Sequence, residues 1–207
     1  MKYLSLLIAI FVLSSCGLFY KTVFGVKNPK IETYHSINKY AGTIGVDSLS
    51  LTFAKDSAAY VELGKMFLGF SDILIFNSSK KFIAYKNDSV SCNASIDTVL
   101  KRLCNIDTVY MPMHLPRDYY SLISKLDDHN NVLASLDKNK FDFIVFADFA
   151  KYFHKVNKNH IPYWNKALKD HYGDCKIKMI YVDLDYLNTW NISKSSVPRI
   201  RLSPNKK

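Results

Sequence analysis

A chain of 207 residues that is 48% hydrophobic and 14% aromatic has enough apolar surface for one core of ordinary size, which excludes a disordered chain away from its ends. Its 28 Lys and Arg against 18 Asp and Glu, a formal net charge of +10, permit contact with anionic lipid headgroups or surface polysaccharide. The basic residues stand singly and in pairs, without an arginine cluster or a nucleic-acid motif, so no nucleic-acid partner is expected.

Met1-Lys2 gives a positive start and Leu4 to Leu13 an apolar run, too short for a permanent transmembrane helix but suited to a signal sequence. Leu13-Ser14-Ser15-Cys16 follows at once and resembles the lipobox of bacterial lipoproteins. The resemblance implies that residues 1–15 are a signal peptide cut before Cys16 and that palmitate-like acyl chains on Cys16 anchor the protein, each buried methylene adding about 0.8 kcal/mol. Residues 16–30 then form a tether at the membrane, and 31–207 the body. Gly17 rather than Asp follows the cysteine, which by analogy implies the outer membrane, facing the periplasm.

Along the body, Ser48 to Phe53 alternates in apolar character and predicts a strand, and Asp56 predicts the cap of a helix from Ser57 to Leu68. Ile73 to Phe76 and Lys81 to Lys86, joined by Asn77-Ser78-Ser79-Lys80, predict two strands and a tight turn. A helix begun at Asn93 follows, with Ile96, Val99, Leu100 and Leu103 on one face. Val109 to Met113 is a further candidate strand, and Pro116-Arg117 opens a helix to about Leu126. Residues 127–140 are polar and mark where the body would divide, if it divides. Phe143 to Phe146 reads as a buried strand, followed by a long helix and a second strand from Lys176 to Val182.

Several of these pieces are similar to the thioredoxin family. Strand, turn, strand and helix from Ile73 to Leu103 resemble the last third of such a domain. Phe146-Ala147-Asp148-Phe149 resembles the entry to the redox site, with Ala150 and Phe153 where the two cysteines would be. Pro162, Trp164, Ala167 and Leu168 fit the helix, and Ser196-Val197-Pro198 resembles the site of the family's cis-proline before a strand. The resemblance implies an α/β fold, a thioredoxin-like mixed central sheet flanked by helices. Because the hairpin precedes the strand–helix–strand half, the domain is either circularly permuted or built of two incomplete halves, and one mixed sheet is expected. It also implies a redox-dead site, since thiol exchange needs a stabilised thiolate and a resolving thiol. Phe149, Tyr152 and Phe153 would then present an aromatic surface.

Beyond Cys16 the chain has Cys92, Cys104 and Cys175, an odd number in an oxidising envelope, so at most one internal pair forms. Cys92 and Cys104 bracket a helix and would lie ~15 Å apart at 1.5 Å per residue, too far for a disulfide. Cys175 can meet either. The six histidines, His35, His114, His129, His154, His160 and His171, show no metal-ligand spacing, and no metal or cofactor is expected. Asp183 and Asp185 end a strand, where acids act in chemistry or merely solvate the terminus. Five Asp-Ser or Asp-Thr steps, at Asp47, Asp56, Asp88, Asp97 and Asp107, resemble the O-glycosylation motif of Bacteroidetes-type envelope proteins, although turn chemistry explains most of them. No catalytic residue is assigned. The expected function is a membrane-anchored lipoprotein whose redox-inactive domain binds an unknown protein partner or acts as a scaffold. The alternatives are a thiol-disulfide oxidoreductase using Cys175 with Cys92 or Cys104, and a basic surface interaction protein of unrelated fold.

Overall fold

Short apolar segments supply every strand of the central sheet. The computed structural model describes residues 25–67, 71–83, 96–105, 117–138, 141–170 and 175–198. Its strands are β1 (Ile31–Glu32), β2 (Leu51–Ala54), β3 (Ile73–Asn77), β4 (Phe82–Ile83), β5 (Leu126–Asp127), β6 (Phe143–Phe149), β7 (Ile177–Asp183) and β8 (Tyr186–Leu187). The helices are α1 (Tyr34–Thr43), α2 (Ser57–Met66), α3 (Ile96–Arg102), α4 (Tyr119–Ile123), α5 (Val132–Lys138) and α6 (His154–Lys169).

Six strands form one mixed sheet in the order β4-β3-β6-β7-β2-β5, with β1 and β8 paired separately. β6, β7 and β2 run parallel, in register Val145 to Met179 and Leu51 to Tyr181, while β3 lies antiparallel on β6 with Ile75 opposite Val145. Side chains alternate across a strand, and the two faces carry separate cores. Val145, Ala147 and Phe149 pack with Ile37 of α1, Leu100 of α3 and Ile161 and Trp164 of α6. Ile144 and Phe146 pack with Leu63 of α2, Leu122 of α4 and Leu136 of α5.

This is a mixed α/β sheet flanked by helices, consistent with a thioredoxin-like fold. The β3–β4 hairpin joins the free side of β6, and α3 packs on α6, so the early block completes one sheet, as the permuted arrangement requires. The β6–α6–β7 unit expected at Phe143 to Val182 is present.

Local differences from the sequence expectation have local causes. Asp47 accepts from the Leu49 N–H at 3.1 Å and winds Ser48–Ser50 into a 3-10 turn, so β2 starts only at Leu51. Asp56 caps α2 as expected, accepting from Ala59 N at 2.7 Å. Asp118 caps α4 through Ser121 N, and that helix ends at Ile123, because Leu126 enters β5. Within the polar segment 127–140, Asp127 of β5 pairs with β2, and Val132 and Leu136 of α5 are buried in the second core. Cys16, Cys92, Val109 to Met113 and residues 199–202 lie outside the described residues.

Candidate functional site

The joint between β6 and α6 is built on Ala150, whose extended backbone (φ −147°, ψ 141°) leads into a 3-10 turn over Lys151–Phe153. Ala150 is fully buried. The surface expected at Phe149 and Tyr152 is not there, because Phe149 is 0% and Tyr152 5% exposed. The strand's alternation sends Phe149 into the first core, and the turn folds Tyr152 into the second. Phe153 is half-buried, its ring 4.9 Å from that of Tyr152. Pro198 is exposed, two residues beyond a 3-10 turn at Lys194–Ser196, and no described peptide bond is cis. The three degenerate redox positions thus become two packing residues and one exposed proline.

A polar cleft of about 270 Å³ opens at the same joint. Its floor is Asp185, just beyond β7, whose Oδ2 accepts from Lys151 N at 2.6 Å. One wall is an ion pair, Lys151 Nζ to Glu32 Oε2 at 2.7 Å, with Ser36 Oγ also donating to that carboxylate at 2.6 Å. The other wall holds Tyr40, whose hydroxyl accepts from Asn157 Nδ2 at 3.0 Å and lies 3.3 Å from His154 Nδ1. Asn157 also donates to Ala150 O at 2.7 Å, which fastens α6 to the joint. Residues 26–30 run along the mouth, held by Lys27 N donating to Tyr152 O at 2.8 Å.

Asp183 and Asp185 do not solvate a strand end; each is 1% exposed. Burial and the neighbouring Asp185 push the Asp183 carboxyl well above the usual range. Burial pushes Asp185 up to about 6, opposed by the Lys151 N–H and the Asp183 side chain. Tyr40 is pushed up to about 12 by burial, which the bond from Asn157 opposes. The buried atoms Asp183 Oδ1 and Asn157 Oδ1 have no hydrogen-bond partner among the described residues. The cleft therefore offers carboxyl acceptors and a phenol beside an ammonium, which suits polar binding and proton exchange. It holds no thiol, and no group of His, Cys, Asp and Glu among the described residues could hold a metal.

The cysteines meet elsewhere. Cys104, in the 3-10 turn after α3, is bonded to Cys175, just before β7, with Cα atoms 5.5 Å apart. Cys175 lines a second cavity of about 400 Å³ with Gly45, Asn165 and Tyr181. Of the histidines, His160 is half-buried and burial lowers its pKa, while His129 stacks on Tyr34 at 4.1 Å. Glu32, Tyr40, Lys151 and Asn157 were not singled out by the sequence; no motif links them, and only the fold brings them together. No family model matches the chain, and no curated protein or solved structure matches it. Among the described residues no helix is long and apolar enough to cross a membrane.

Proposed function

We propose that the protein is a bacterial envelope lipoprotein, held by acylated Cys16 on the periplasmic side of the outer membrane, whose thioredoxin-like domain binds a partner and does not exchange thiols. One observation carries the reading. Where a redox fold needs a nucleophilic thiol at the helix start, this chain buries Ala150 and opens a polar cleft floored by Asp185. Two assays test it. The purified domain is expected not to accelerate insulin reduction by dithiothreitol, and mass spectrometry of the N-terminal peptide is expected to show acyl chains on Cys16. Turnover that disappears in Cys175→Ser would overturn the binding reading.

A second reading, an oxidoreductase using Cys104 with Cys175, is favoured by their pairing beside a cavity. Its chemistry is poorly supported. Cys104 follows the C-terminus of α3, where the negative end of the helix dipole opposes a thiolate, whereas reactive cysteines sit at N-termini or beside cations. The bond is better placed as a clamp between the hairpin block and the β6–α6–β7 half.

A further inference from the structure

The outer face of α6 carries a ridge that the binding cleft does not use. Lys155, Lys158, Pro162, Lys166 and Lys169 are all exposed, and their spacings of three and four residues place them in one stripe along the helix. From Ala150 to Lys169 there is no acidic residue; the first is Asp170, past the helix end. None of the four lysines makes an ion pair with the described residues. Tyr163, 46% exposed, flanks the stripe, and Lys101 Nζ of α3 lies 3.3 Å from its hydroxyl.

The N-terminal half of the helix gains nothing from this composition, whereas Lys166 and Lys169 in the last turn suit the negative end of its dipole. His154, Lys155 and Lys158 crowd the N-terminal end, where the macrodipole favours anions, and the first turn has no acid. Like charges three and four residues apart repel. A cationic ridge with no acid along it, unfavourable at its N-terminal half, calls for an anionic surface outside it.

The tether identifies that surface. Gly25 has φ +62°, and a Cβ there would come within 2.6 Å of Lys155 Cβ, so the backbone lies directly against the ridge. Val26 is buried and Lys27 N is bonded to Tyr152 O, which fixes the chain's direction at the N-terminal end of α6. Gly25 is nine positions after Cys16, a reach of at most ~32 Å at 3.3–3.6 Å per residue. We infer that the Lys155–Lys169 ridge is a docking surface for anionic phospholipid headgroups, laying α6 along the membrane that holds Cys16. The tether's part in this rests on the acylation proposed above, whereas the ridge's charge does not.

The test uses the chain from residue 16 onward as Cys16→Ser, which keeps every described residue and removes the acyl anchor. Co-sedimentation is measured with vesicles of phosphatidylcholine alone and mixed with phosphatidylglycerol. Binding is expected to the mixed vesicles only and to fall with added salt. Lys155→Glu with Lys158→Glu is expected to weaken it at least about tenfold, since each lysine near such a surface contributes about a factor of five. Lys55→Glu with Lys81→Glu changes net charge equally away from the ridge and is expected to do much less. Acetylation footprinting of the unsubstituted chain, with Lys155, Lys158 and Lys166 protected by the mixed vesicles, reads the same surface without variants. Equal losses in the two double variants, no footprint, or binding to polyglutamate but not to vesicles would overturn the proposal. Acylation is read separately by mass, so its absence would sink the anchor and leave this result standing.

Discussion

Asp183 sits at the last position of β7 with an oxygen that nothing described satisfies, and Asp185 sits two residues on with its carboxylate against the Lys151 N–H. Both carboxyls have folded-state pKa values raised above their unfolded ones, so the stability they contribute is present in acid and is lost as pH rises. For Asp185 the loss falls between about 4, the unfolded value, and about 6. It faces Asp183, the Glu32–Lys151 pair, Tyr40 and His154, and the shift corresponds to roughly 3 kcal/mol at 1.36 kcal/mol per unit. Urea unfolding of the wild type and Asp185→Asn is therefore expected to favour the wild type more at pH 4 than at pH 7, by that order. Equal differences at both pH values would mean the pair is not buried as described. Asn157→Ala tests the other side of the cleft. It removes donors to Ala150 O and Tyr40 Oη, and leaving a buried carbonyl unpaired costs about 1–3 kcal/mol. Denaturant melts should show that loss, and a neutral result would mean water replaces the amide.

The Cys104–Cys175 bond closes a loop of 71 residues between α3 and β7. Loop-closure entropy gives about 4 kcal/mol for that length, so Cys104→Ser with Cys175→Ser should lower the melting temperature substantially, and reductant should have the same effect on the wild type. A melt indifferent to reductant would show that the bond constrains little, and would reopen its redox role. The elements themselves were legible where periodicity and punctuation agree. The Asp56 cap, the hairpin turn at Asn77 to Lys80, the buried run Phe143 to Phe146 and the amphipathic α6 all follow from local chemistry. The site was not. Glu32 stands 119 residues from Lys151, and Tyr40 stands 117 from Asn157, with no spacing rule joining them. Phe149 and Tyr152 were misplaced for a related reason: beside an expected active site, aromatic residues suggest a surface, but the alternation of β6 and the turn after it put both in the cores.

At the level of the molecule, the sheet order explains how a hairpin that comes early in the chain can serve a strand that comes late. β3 pairs with β6 along five residues, Ile73 to Asn77 against Ala147 to Phe143, although the two strands are joined through β4, α3, α4, β5 and α5. The first and last described strands are brought together as well: β1 pairs in parallel with β8, Ile31 opposite Tyr186. The sheet is therefore expected to require the pairing and not the order of the segments along the chain. A circular permutant that opens the chain between Lys138 and Phe141, and joins its ends from residue 198 back to residue 25 through a flexible Gly/Ser linker, would restore the order of strand, helix, strand, then hairpin and helix. Exposed loops and surface termini are where such cuts are tolerated. The permutant is expected to unfold in one cooperative transition, with the wild-type far-ultraviolet circular dichroism spectrum and the Cys104–Cys175 bond formed. A chain with native-like secondary structure but no cooperative transition would instead mean that the hairpin must be held by its present connections, and that the two halves do not complete one another unaided.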